Sequence, residues 1–261
     1  MARVRPDVVI HQMTALGRVS AVKHWDHEFE MTNRLRREGL DNLLSAARAA
    51  GAERFVAQSF GNWNYERTGS RVKTEEDPLD PHPPASMSRS LDAIRHLESA
   101  VLGAHDIEGV VLRYANFYGP DAMIGDGGAM LAQVRKRAVP IIGDGGGIWS
   151  FVHLDDAARA TVLALEPSAR GIYNIADDDP AAVSIWLPEL AAIVDANPPR
   201  RLPRWVGRLG AGSAGVSLFT QIRGASNAKA KRELDWELIH PTWREGFRIG
   251  LAARKLHLEV R

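Results

Sequence analysis

The chain has no cysteine, which excludes disulfides, thiolate nucleophiles and cysteine-ligated metals together and fits a reducing cytoplasm. Long apolar runs are missing too. Nothing approaches the roughly 20 residues needed to span a bilayer, and the start Met1-Ala2-Arg3-Val4-Arg5-Pro6 lacks the apolar core of a signal peptide. The expected location is the cytoplasm. No charge of one sign dominates: 33 basic residues face 32 acidic ones for a net charge of +1, leaving no footprint for nucleic acid and no patch for an anionic membrane. The expected partner is a small molecule. What is present is ordinary for a globular protein, since 261 residues with 45% hydrophobic content can bury a full core, read as one domain with a smaller C-terminal lobe.

The pattern alternates strand and helix. Asp7-Val8-Val9-Ile10-His11 is a β-branched strand, Thr32-Asn33 opens a helix with Leu35, Leu40, Leu43, Leu44 and Ala47 on one face, and Gly51 stops it. Arg54-Phe55-Val56-Ala57-Gln58-Ser59 follows as a strand, and such a βαβ unit makes a parallel sheet. Residues 61–85 carry Pro78, Pro81, Pro83 and Pro84 and read as a long loop of the kind that walls a site. Helix 86–104 returns the chain to a strand over 107–112. Further on come a helix over 130–137, a strand over 139–142, a tight turn over 143–147 and a strand over 149–154. Asp155-Asp156 then caps a helix to Glu166, and 171–175 is one more strand.

The strand over 107–112 runs into Arg113-Tyr114-Ala115-Asn116-Phe117-Tyr118-Gly119-Pro120, where Gly119-Pro120 can continue neither strand nor helix. In open α/β sheets ligands bind just beyond the carboxyl ends of strands, so this stretch belongs at a site. Tyr114, Phe117 and Tyr118 read equally as core aromatics capping a sheet.

Five segments in order resemble the extended short-chain dehydrogenase/reductase family, the NAD-dependent epimerase/dehydratase group: Asp7 to His11, Thr32-Asn33 through Val56, Leu112 to Pro120, Ser150-Phe151-Val152-His153-Leu154-Asp155-Asp156, and Arg223-Gly224 through Lys229, Lys231 and Glu233-Leu234-Asp235-Trp236. The resemblance implies an α/β, Rossmann-like doubly wound parallel sheet, N-terminally truncated, with a small C-terminal substrate lobe. The implied boundaries are 1–178 for a partial NAD(P)-binding domain and 179–261 for a helical substrate lobe. By the same resemblance Gln12, Met13, Asn33, Gln58, Ser59, Ala115 and Asn116 line a cofactor groove for NAD or NADP. Tyr118, Trp149 and Arg223 meet the substrate, Arg223 through a phosphate or carboxylate. Trp149 stands where many sugar-nucleotide members carry arginine, which turns the expectation toward a less charged ligand.

Two parts of the family pattern are missing. The glycine-rich turn that cradles pyrophosphate precedes the family's second strand, whereas this chain begins about three strands later. That start implies a segment encoded upstream, and it leaves Val8-Val9-Ile10 as an edge that invites pairing, so a homodimer is expected. Gly210-Ala211-Gly212-Ser213-Ala214-Gly215 matches a dinucleotide fingerprint in writing, but no strand precedes it, and it reads as a flexible loop. The second missing part is the tyrosine whose pKa is lowered by a lysine four residues later. Four residues after Tyr65, Tyr114, Tyr118 and Tyr173 stand Gly69, Tyr118, Ala122 and Asp177; alignment on Glu98 puts Ser90 and Ile94 where tyrosine and lysine belong, and Phe60 where the supporting hydroxyl belongs.

Ser59 and Tyr65 remain as candidate proton carriers. His24 and His27 lack a third ligand and read as a solvated face, His153 beside Asp155 and Asp156 as helix-start packing, and Asp177-Asp178-Asp179-Pro180 as a solvated turn, so no metal is expected. The functional expectation is an NAD(P)-dependent oxidoreductase or isomerase of the epimerase/dehydratase kind with an atypical site, acting on a small molecule, with a sugar or nucleotide-sugar among the options. The alternative is a non-catalytic nucleotide- or metabolite-binding regulatory protein.

Overall fold

The computed structural model describes residues 4–16 and 22–252. Its centre is a parallel sheet of β1 (Val8–His11), β2 (Arg54–Phe60), β3 (Glu108–Tyr114) and β4 (Gly171–Ile175), which pair in that order. Helix α1 (Leu40–Ala49) crosses from β1 to β2, α2 (Ser88–Leu102) from β2 to β3, and α3 (Leu154–Leu163) leads into β4. Alternation along the strands explains why both faces are covered. Phe55, Ala57 and Val111 point to α1 and α2, where they meet Leu40, Leu44, Leu97 and Val101. Val56, Val110 and Leu112 point the other way, onto Ala157 and Ala160 of α3 and onto Trp236.

The C-terminal residues do not form a separate appendix. Val72–Lys73 pairs with Gly224–Ala225, Ile141–Ile142 with Arg201–Leu202, and Ile148–Trp149 with Ala181–Ala182, so the 61–85 loop and the 139–149 region are stitched to the lobe built from α4 (Val183–Ile193), α5 (Arg204–Thr220) and α6 (Trp243–Ala252). A third cluster, rich in Trp25, Trp63, Trp149, Trp186, Trp243 and Phe247, fills the space between them.

Several local expectations change. The helix expected from Thr32 begins at Glu30 and carries a π-helical turn over Leu35–Gly39 before α1. The strand expected over 149–154 is broken at Ser150, and Phe151–His153 pairs in parallel with Asn116–Tyr118. The 210–215 glycines are not a loop but lie inside α5, which kinks at Gly212 with φ 69°. Asp155 and Asp156 do not cap α3. His153 does, its Nδ1 accepting the Asp155 N–H at 3.2 Å, while Asp156 accepts from the N–H groups of Ile239 and His240.

Candidate active site

The sheet register gathers the expected cofactor residues at one edge. His11 stands opposite Ala57, Gln58 opposite Leu112, and Phe60 opposite Tyr114, so residues 12–13, 58–60 and 115–116 all leave the carboxyl ends of β1, β2 and β3. Gln12 is exposed and donates to the Tyr114 hydroxyl at 3.1 Å, which also bonds Thr161 at 2.6 Å. Met13 is exposed and Gln58 half-buried. Ala115 is buried with its N–H on the Ile175 carbonyl, and Asn116 donates to the Ser150 carbonyl at 2.9 Å.

The positions of the family's proton carriers are closed. Ser90 is fully buried and gives its hydroxyl proton to Asp26 Oδ1 at 2.7 Å, while its oxygen accepts from Asn33 Nδ2 at 3.0 Å. Asp26 also takes the backbone N–H groups of Arg89 and Ser90, so a carboxylate from a distant short helix caps α2. Ile94 is fully buried beside Trp25, Met87 and Leu91. Phe60, at the place of the supporting hydroxyl, lies 6.2 Å from the Trp63 ring; Trp63 meets Trp25 edge-on at 5.3 Å and Trp25 stacks on Phe29 at 4.4 Å. An apolar, aromatic wall thus stands beside the Asp26–Ser90–Asn33 cluster. The Asp26 contact spans 64 residues, and no local pattern signals it.

Ser59 and Tyr65 lie together in a different structure, a buried network behind the sheet edge. Ser59 donates to Glu98 at 2.7 Å, Arg113 clasps Glu98 with Nε and Nη2 at 2.8 and 2.6 Å, and Arg113 Nη1 donates to the Tyr65 hydroxyl at 3.1 Å. Tyr65 in turn donates to the Asn174 amide oxygen. Burial pushes the Tyr65 phenol up to about 12, against the pull of Arg113.

The substrate-side residues separate. Trp149 is buried, its N–H on the Leu218 carbonyl at 3.0 Å and its ring 5.0 Å from Trp186. Tyr118 is buried with no partner for its hydroxyl among the described residues, and burial followed by the Asp177, Asp156 and Glu245 carboxylates raises its pKa. Gly119 follows at φ 122°, where any side chain would strike His153 Nε2. Arg223 lines a cavity of about 460 Å³ with Arg67, Asp80, His82 and Gln221. Its Nε and Nη2 hold the Arg67 carbonyl, and Arg67 is paired with Asp80 at 2.8 Å. Glu66 and Asp80 share this lining, so its formal charges sum near zero, but Arg223 itself pairs with no described carboxylate.

The acidic run at 177–179 is not a solvated turn. Asp178 pairs with Lys231 at 2.8 Å, Asp179 with Arg244 at 2.7 Å, and Asp177 is buried. Burial pushes the Asp177 carboxyl well above its usual range, against two N–H donors from Asp179 and Trp243. A carboxyl that keeps its proton longer when folded favours the fold at low pH, and this contribution falls as pH rises past the unfolded value of about 3.9. Asp177→Asn is therefore expected to be more stable than the parent at about pH 8, with the gap closing toward about pH 4. Denaturant unfolding at both values checks this; a pH-independent gap contradicts it. His153, Asp155 and His240 come close enough for one cation, but His153 Nδ1 is engaged as the α3 cap, and His27 lies 3.9 Å from the exposed Glu30.

A twisted parallel sheet with helices on both faces and polar groups at its carboxyl edge defines a Rossmann-type nucleotide-binding domain. A model of the NAD dependent epimerase/dehydratase family matches residues 1–176, and the chain belongs to that family, whose members are NAD(P)-dependent oxidoreductases. A Streptomyces protein described as a 3-diazoavenalumate denitrifying reductase is 38% identical over 247 residues, covering 94% of this chain and 80% of that protein. Among solved structures, a human epimerase family protein with NADPH superimposes with a TM-score of 0.76 at 16% identity, over 94% of this chain and 82% of that one. A Thermotoga maritima UDP-glucose 4-epimerase with UDP-glucose gives 0.72 at 23% identity, over 97% and 79%.

The residues fit the nicotinamide-ribose half of such a cofactor. Asn33 Oδ1 and His11 Nδ1 are buried without partners among the described residues, and ribose hydroxyls would be able to supply the missing donors and acceptors. Among the described residues no glycine-rich turn joins a sheet strand to a helix at this edge, so none of them is assigned to the pyrophosphate.

Proposed function

We propose that this protein is an NAD(P)H-dependent reductase that delivers hydride to an acceptor needing no proton from the protein, and that the acceptor is an aryl diazo compound bearing a carboxylate. The observation that carries this reading is the Asp26–Ser90–Asn33 plug beside Ile94, which occupies the place of the proton relay. A ketone accepting hydride becomes an alkoxide and needs an acid. Residues 12–13, 58 and 115–116 would hold a reduced nicotinamide, which would supply a hydride; an arenediazonium accepting it at the ring carbon would release dinitrogen with the electrons of the carbon–nitrogen bond and consume no proton. The name of the Streptomyces relative describes a diazo compound and a denitrifying reduction, which agrees with that chemistry.

The chain's own groups bind and orient. Gln12, Met13, Asn33, Gln58, Ala115 and Asn116 form the cofactor edge, with Asn33 and His11 offering unpaired polar atoms, while Ser59 lies behind it on Glu98. Phe29 and Phe60 are the half-buried rings of the aromatic wall, suited to stacking on a planar substrate and excluding water. Arg223 is the cation for the carboxylate; a cavity with balanced charge suits one anionic group better than a diphosphate.

Ser90→Ala tests the reading. If no protein acid takes part, its kcat should stay within about threefold of the parent and remain flat between about pH 6 and 9, whereas loss of a general acid costs about 10²- to 10⁴-fold. A fall of that size would contradict the proposal. Failure of NADH and NADPH alike to raise Tm would favour the binding-protein alternative, because a ligand at 100 times its Kd stabilises by about 2.7 kcal/mol.

A further inference from the structure

The first half of α5 carries a surface that the oxidoreductase reading does not use. Gly207 faces inward, where a Cβ would come within 2.6 Å of Ile142, and at 3.6 residues per turn this sends Trp205 and Leu209 out on the opposite face. Both are 69% exposed. Lys23, Arg204 and Arg208 beside them are exposed, as are Arg200 and Arg201 just before the helix, and none of the five forms an ion pair with a described carboxylate. Lys23 donates to the Leu209 carbonyl and Arg204 to the Thr220 hydroxyl, neutral partners that leave both charges uncompensated. The near-zero net charge conceals this face, since five unpaired cations here leave the remainder of the chain net acidic.

We propose that this ridge docks the protein reversibly on an anionic lipid bilayer, with Trp205 and Leu209 entering the interface and the five cations meeting the headgroups. Tryptophan with leucine on one helical face and arginine beside them is the pattern of an interfacial helix. A second copy on the same ridge would oppose cation to cation. Nucleic acid would satisfy the arginines but set phosphate against Leu209. A stable protein partner needs about 800 Å² from each side, more than a two-turn ridge offers, while a bilayer needs no matching contour. The acidic remainder of the chain would orient the ridge toward the membrane.

Cosedimentation of the full chain with vesicles tests this, comparing phosphatidylcholine alone with the same lipid containing about 30% phosphatidylglycerol, at low and high salt. Binding is expected only with the anionic vesicles and should be lost at about 0.5 M salt. Arg204→Glu with Arg208→Glu should weaken it about thirtyfold or more, and Trp205→Ser with Leu209→Ser by at least about tenfold. All four residues are exposed, and an unchanged Tm would confirm the fold of each variant. No binding to anionic vesicles, equal binding to neutral ones, or full binding by both variants would overturn the proposal. The wild-type salt and lipid dependence decides the matter even if a variant misfolds, and reductase activity plays no part in the readout.

Discussion

Arg113→Ala should lower stability by about 3–5 kcal/mol, because it strands the Glu98 carboxylate in the interior without its bidentate partner. Arg113 and Glu98 are both nearly inaccessible, and the same arginine also supports Tyr65. For a chain of this size, each kcal/mol corresponds to about 2–4 °C, so Tm is expected to drop by about 6–20 °C. Replacing both residues by methionine should recover most of the loss, since two apolar groups of similar shape leave no charge behind. A loss below about 1 kcal/mol in Arg113→Ala would show that water reaches Glu98 and that the network is not closed.

Arg223→Ala should raise KM for a carboxylate substrate by about 10- to 150-fold with little change in kcat, the range of one charge-assisted hydrogen bond of about 1.5–3 kcal/mol. Arg67 is neutralised by Asp80, and Arg223 gives two of its nitrogens to a carbonyl, a neutral partner, so its charge stays available to the cavity. An amide analogue of the substrate should bind parent and variant alike. Equal KM values for the carboxylate would remove Arg223 from the site, and a loss confined to kcat would assign it to the reacting end instead.

The parallel sheet was legible because its signals are local. Runs such as Val8-Val9-Ile10 and Val110-Val111-Leu112, separated by helices of clear period, leave little choice of topology. Absence was equally legible: the missing tyrosine–lysine pair can be read from spacing alone. What replaced the pair could not be, since Asp26 reaches Ser90 across 64 residues and Arg113 meets Tyr65 across 48, distances at which periodicity carries no information. The 210–215 glycines misled for a physical reason. Glycine permits loop, kink and close helix packing alike, and the tertiary contacts of Gly212 with Lys23 and of Gly215 with Val22 accompany the kinked helix. The acidic run at 177–179 misled similarly, because its cations Lys231 and Arg244 arrive from the end of the chain.

The central claim is that hydride moves here without a proton from the protein. Single-turnover reduction of a carboxylated arenediazonium by NADPH deuterated at the transferring position, run in ordinary water, tests it most directly. One deuterium is expected at the ring carbon that carried nitrogen, with one dinitrogen released for each NADPH oxidised and no deuterium at that carbon when the labels are reversed by using heavy water. Solvent-derived hydrogen at that carbon, or NADPH oxidation without dinitrogen, would contradict it.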